Sequence, residues 1–155
     1  MIPPFDHRGL LPPGVHAAEG WDEVVRHFGF TAHRELLLAK ARQFMASELA
    51  QVGAGLQLCV GGGFVTDKPA PRDIDCTIAL PVSKLADRIQ LLKLAADCDR
   101  VWEQYGVDLF PTIEDSNGFD YKDYYQFVGP KTGMVKGLDP SDRQGIIRVL
   151  QWQLG

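Results

Sequence analysis

The chain is poor in cysteine and carries neither a CxxC pair nor an HExxH run. Its three thiols, Cys59, Cys76 and Cys98, are odd in number and sit among apolar neighbours, which argues against a disulfide framework and for reduced, mostly packed side chains. The four histidines, His7, His16, His27 and His33, fall in the first third without metal-ligand spacing, so no zinc site is expected. No stretch approaches the roughly 20 apolar residues that cross a bilayer. The opening "MIPPFDHRGLLPPG" lacks the basic region and apolar core of a secretory signal. A soluble protein of the cytoplasm, without membrane contact, is therefore the expectation. Cationic excess is missing too: 16 Lys and Arg against 20 Asp and Glu leave a net charge of -4, and nonspecific DNA binding is not expected.

What is present is one domain's worth of chain, 155 residues with 45% hydrophobic content. Residues 1–20 hold four prolines and three glycines. They are expected to lie extended on the surface of the single domain 1–155, pinned by Ile2, Phe5, Leu10 and Leu11. "WDEVVRHF" (21–28) reads as a short helix stopped by Gly29. A longer helix follows from Thr31 to about Ala50, with Leu37, Leu38, Ala41, Phe44, Met45 and Leu49 as its buried stripe. "LQLCV" (56–60) and "DIDCTIAL" (73–80) read as strands. A helix capped by Ser83 is expected to reach Tyr105, facing Leu85, Ile89, Leu92, Ala96 and Val101 inward. "VDLFP" (107–111) is a third strand, and "IIRVLQW" (146–152) is a final strand or short helix, its β-branched pair favouring strand. Strands alternating with helices predict an α+β fold, a mixed β-sheet with helices packed against it.

The chemistry concentrates in "GGGFVTDKPAPRDIDC" (61–76). Alternation along a strand places Asp73 and Asp75 on one face, roughly 7 Å apart, and Ile74 on the other. Two neighbouring carboxylates repel, and a hard cation such as Mg²⁺ is commonly held by one or two carboxylates together with substrate phosphates. Asp108, between Val107 and Leu109, supplies a third acid if its strand lies beside the second. Gly61, Gly62 and Gly63 carry no Cβ and let backbone N–H groups approach an anion. Lys68 and Arg72 flank the same path. Other glycine motifs fit poorly: the third glycine of GxGxxG is missing, Pro69 and Pro71 prevent the helix that a dinucleotide-binding turn opens, and the P-loop's second glycine and Ser/Thr are absent. "DIDCT" also lacks the glycine and terminal glutamate of a calcium-binding EF loop.

These residues resemble the polymerase-beta type of nucleotidyltransferase. That superfamily's motif runs hydrophobic, Gly, Gly or Ser, a short gap, then Asp, hydrophobic, Asp or Glu, hydrophobic, with a further acid on a later strand. Gly62 and Gly63, a gap of nine residues, then Asp73, Ile74, Asp75 and Cys76 match it, with Asp108 as the later acid. The register Val60, Gly61, Gly62 also fits. "IPPFD", "LPPGVH", "GFVTDKPAPRDID" and "VDLF" are similar to a small bacterial family of nucleotidyltransferase-like proteins without assigned function. The resemblance implies metal binding by Asp73, Asp75 and Asp108, with Mg²⁺ or Mn²⁺ as cofactor and a nucleoside triphosphate as substrate. It implies contact of Gly61 to Gly63, Lys68 and Arg72 with the phosphates, and transfer of a nucleoside monophosphate to a hydroxyl on a protein, an RNA or a small molecule. The minimal size resembles nucleotidyltransferases of toxin–antitoxin modules, whose acceptor would be a partner protein or tRNA. The chain departs from the pattern at Gly63, where such proteins usually carry Ser. A catalytically inactive binding module (antitoxin, immunity or regulatory subunit) and a nucleotide sensor without turnover therefore remain alternatives.

Composition offers a plainer reading for each of these residues. The three acids can end strands in solvent. Tyr121, Tyr124 and Tyr125, beside Asp120 and Asp123, stack a base or simply pack. Lys131, Lys136, Arg143 and Arg148 line an acceptor site or only solubilise the surface.

Overall fold

The computed structural model describes residues 1–53 and 55–153. Its centre is a five-stranded mixed sheet. The strands are β1 (Gly14–Gly20), β2 (Gln57–Gly61), β3 (Ile74–Pro81), β4 (Val107–Glu114) and β5 (Gly145–Gln151), in spatial order β1-β5-β2-β3-β4. β1 pairs parallel with β5, β5 and β3 each pair antiparallel with β2, and β3 pairs parallel with β4. The helices are α1 (Trp21–Phe28), α2 (Ala32–Ser47), α3 (Leu85–Ala96), α4 (Cys98–Tyr105), α5 (Tyr121–Tyr124) and α6 (Gly129–Lys136). None of the described helices is long and apolar enough to cross a membrane.

Alternation along the strands divides the sheet into two unlike faces. Ile74, Cys76, Ile78 and Leu80 of β3, Leu58 and Val60 of β2, and Val107 and Leu109 of β4 join the main core with α1, α2 and α4. The opposite face carries Asp75, Thr77 and Ala79 of β3 and their register partners Asp108, Phe110 and Thr112 of β4. Part of it is closed by a smaller cluster in which Tyr125 packs on Cys59 and Ile146. The ring of Tyr121 stacks on Phe110 at 4.8 Å, and the Thr77 and Thr112 hydroxyls bond each other at 2.7 Å. The acids occupy the end of this face that the tyrosines leave open.

Several expectations are corrected. Residues 14–20 are not a surface wrap but the edge strand β1, because their backbone completes a ladder with β5; Ile2, Leu10 and Leu11 are buried as expected. The second helix stops at Ser47, and Leu49 is buried in a separate 3-10 turn. The helix expected from Ser83 to Tyr105 is two helices, α3 preceded by Lys84 and α4 restarting after Asp97. α3 is also rotated from its expected face: Leu85, Ile89, Leu92 and Ala96 are exposed, while Leu91 is buried. Val101 of α4 does face inward. Leu91→Ala is accordingly expected to cost about 2–5 kcal/mol in chemical denaturation and Leu92→Ala no more than about 0.5 kcal/mol. Equal losses would contradict the observed rotation.

Candidate phosphate and cation site

β2 delivers the glycines. Gly61 ends the strand as the register partner of Asp75, and a 3-10 turn, Gly62–Val65, follows at once. Gly62 has a φ of +67°, and a Cβ there would fall 1.9 Å from Asp75 Oδ2, so the Asp75 carboxylate rests against bare backbone. Gly61 is bare for a different reason: its Cβ would strike the Tyr125 ring. Gly61 does not line the open cleft; Gly63 does, and a Cβ there would meet nothing within 4 Å.

That cleft, about 670 Å³, is lined by Gly63, Lys68, Arg72, Asp73, Asp75 and Asp108, every other site residue that the sequence suggested except Gly62, which lies directly beneath Asp75. Asp75 and Asp108 are direct register partners on adjacent parallel strands, so their side chains leave the sheet on the same face. Asp73 lies just before β3, and its Oδ2 accepts a 3.0 Å hydrogen bond from the Trp102 indole N–H on α4. The Arg72 guanidinium lies over that same indole, 4.7 Å from the ring centroid. α4 adds Cys98, Asp99 and Glu103 to the wall, and α6 adds Lys131 and Thr132.

The electrostatics are those of a charge pair short of compensation. Burial, reinforced by Asp73 and then Asp108, raises the Asp75 pKa to about 7, with Lys131 opposing. Burial and Asp73 also raise that of Asp108, with Arg72 opposing. Neither carboxylate accepts a hydrogen bond from the described residues. Among those residues no group of three or more His, Cys, Asp or Glu is gathered tightly enough to hold a metal by itself. Asp75 and Asp108, adjacent oxygen donors on one face of the sheet, are residues that could share a hard cation with the oxygens of a ligand. Burial also raises the thiol pKa of Cys59 to about 11, and that of Cys76 well above the usual thiol range, so both are packed and inert.

Trp102 had no signal of its own in the sequence, since an aromatic at helical spacing reads as core. Lys131 and Thr132 lie in a turn-rich stretch far from the motif. Of the other candidate cations, Lys136 bonds Arg8 O and Asp67, Arg143 pairs with Asp123 and covers Phe127, and Arg148 is exposed on β5. Tyr125 is buried and Tyr121 half-buried, as plain packing requires. Trp102→Phe keeps the ring beneath Arg72 but removes the donor to Asp73. If the cleft takes a triphosphate with Mg²⁺, about a threefold to tenfold loss of Mg²⁺-dependent ATP affinity by calorimetry is expected, within the range of one charge-assisted hydrogen bond. Unchanged affinity would leave Asp73 outside the site.

No curated protein and no solved structure matches the chain. A family model matches residues 3–150, a span that takes in the N-terminal segment, the glycine turn and all three acids. The chain thus belongs to DUF6932, a family of unknown function.

Proposed function

We propose that the cleft binds a nucleoside triphosphate together with Mg²⁺ or Mn²⁺ and transfers its nucleoside monophosphate to a hydroxyl on a protein, an RNA or a small molecule. The observation that carries this reading is the register pairing of Asp75 with Asp108 over the bare Gly62 backbone, with Asp73 in the same cleft. Asp75 and Asp108 would hold the cation, with Asp73 beside them. When bound, it would offset the phosphate charge and favour ionisation of the acceptor hydroxyl. Lys68, Arg72 and Lys131 stand where phosphate oxygens need counter-charge. Gly63 leaves its backbone open to a phosphate. In the transfer, the acceptor oxygen bonds the α-phosphorus as the bond to the bridging oxygen breaks, and pyrophosphate departs with that electron pair. Asp108, which lines the cleft beside Asp75, would receive the hydroxyl proton.

Incubation with each α-labelled nucleoside triphosphate, Mg²⁺ and cell extract tests the proposal, with labelled acceptor and released pyrophosphate as the expected result. One specific feature favours a second reading, binding without turnover: Gly63 offers no hydroxyl where the resembling enzymes carry Ser. Triphosphate affinity without pyrophosphate release would select that reading, and neither affinity nor label transfer would defeat both.

A further inference from the structure

Arg34, on the first turn of α2, is 0% exposed and forms no ion pair with a described carboxylate. The described hydrogen bonds of its side chain all go to backbone carbonyls: Nε to Lys68 O at 2.9 Å, one terminal nitrogen to Phe64 O at 2.9 Å and Phe28 O at 3.3 Å, and the other to Thr66 O at 2.6 Å. The guanidinium lies 4.3 Å from the Phe30 ring centroid and 4.8 Å from that of Phe64. Two neighbours extend the pattern. Thr31 Oγ1 donates to Pro69 O at 2.8 Å, and His33 Nε2 donates to Pro71 O at 2.6 Å. Five carbonyls of residues 64–71, the connection between the glycine turn and the aspartates, thus turn toward one helical turn.

A buried cation without an anionic partner is costly unless its donors are satisfied by fixed dipoles. Burial lowers the Arg34 pKa only to about 10, so the charge persists at neutral pH. Only a planar, forked donor satisfies carbonyls at 64, 66 and 68 together; a lysine ammonium is a compact point charge without that fork. The connection needs such support because it carries two prolines and makes few ladder bonds of its own. Besides the Thr66–Leu10 bridge, its described backbone anchor is Asp67 N–H to Gly9 O. Gly63 precedes the cradled stretch, Lys68 lies within it and Arg72 follows it, and all three line the cleft.

We infer that Arg34 is a positioning residue: it sets the path of residues 64–71 and so holds Gly63, Lys68 and Arg72 in the arrangement that binds phosphate. The affinity part of this inference rests on the proposed function, whereas the path of the segment does not.

Arg34→Lys, which keeps the charge but loses the fork, separates the two. It is compared with Val149→Ala, a core change in β5, with mutant stabilities matched by temperature. The probes are ATP and inorganic triphosphate, each with Mg²⁺, by calorimetry, together with amide exchange over residues 62–72. Arg34→Lys is expected to weaken both probes about tenfold and to speed exchange in 62–72 while β2, β3 and β5 stay protected. Val149→Ala is expected to stay within about twofold of the parent. Should Arg34→Lys not fold, His33→Phe removes an outer contact at an exposed position, with about a threefold loss expected. Affinity and exchange no more affected than in Val149→Ala overturn the inference while leaving the functional reading intact. A parent that binds neither probe, combined with faster exchange over 62–72 in the variant, overturns the functional reading and upholds Arg34's hold on the segment.

Discussion

Asp75→Asn is expected to make the unliganded protein more stable and, if the proposed cation site is right, to end its response to divalent cations. The first half follows from linkage. An ordinary aspartate titrates near 3.8, and Asp75 in the fold near 7, chiefly through burial and the charges of Asp73 and Asp108. Below about pH 4 both folded and unfolded chains hold the proton, and ionisation costs nothing. Between about pH 4 and pH 7 the unfolded chain releases a proton that the folded chain keeps, so stability falls as pH rises. Above about pH 7 the penalty is complete. Asparagine carries no such penalty. Each pKa unit corresponds to about 1.4 kcal/mol, but Asp75 is only half-buried and opens to the cleft, so a gain of about 1–3 kcal/mol at pH 8 is expected, vanishing toward pH 4. The second half follows from the proposed site, because a partly desolvated carboxylate crowded by other acids is what a cation compensates, and its removal costs the bound state about a hundredfold or more in affinity. Thermal melts from pH 4 to 9, with and without Mg²⁺ and ATP, read both effects. Equal stability at pH 8, or an intact cation response in the variant, would contradict the charge assignment of this site.

Gly62→Ala and Gly63→Ser should behave oppositely although the residues are adjacent. Gly62 has a φ of +67°, a region that costs a side-chain-bearing residue about 1 kcal/mol or more, and its Cβ would occupy the place of Asp75 Oδ2. Because β3 fixes the Asp75 backbone by pairing on both sides, only its carboxylate can move aside, which displaces it from Asp108. A loss of about 2–3 kcal/mol in stability and about a hundredfold in Mg²⁺-dependent ATP affinity is expected. Gly63 has open space and no positive φ, so serine there should leave the melting temperature within the equivalent of about 0.5 kcal/mol. If the proposed phosphate contact is right, the added hydroxyl should hold or raise ATP affinity. Tolerance of Gly62→Ala with full affinity would separate Asp75 from the turn.

The site was legible because its chemistry is written locally. Glycines without side chains, a connection too proline-rich for a helix, and acids two apart at the start of a strand all lie within sixteen residues and line one side of the cleft, whose other side comes from α4, β4 and α6. The face of α3 was not legible. Its run of Leu85, Ile89, Leu91, Leu92, Leu94 and Ala96 offers more than one apolar stripe, and only the sheet beneath decides that Leu91 goes in while Leu92 stays out. β1 was missed because "GVHAAEG" alternates weakly and its ladder partner lies far along the chain in β5. Arg34 was missed because a lone arginine near a helix start reads as a solvated charge, and its five donors gain meaning only once the carbonyls of 64, 66 and 68 surround it.

By itself, the sequence determined which groups the protein has to work with: three acids, a backbone stripped of side chains, and strands and helices set by local periodicity. Tertiary structure alone decided that Asp108 stands opposite Asp75 rather than one residue away on the other face, that Gly61 lies against the Tyr125 ring, and that Arg34 faces inward. Register and burial come from contacts between segments distant in the chain, where a one-residue slip reverses every side chain, and no local pattern encodes that alignment.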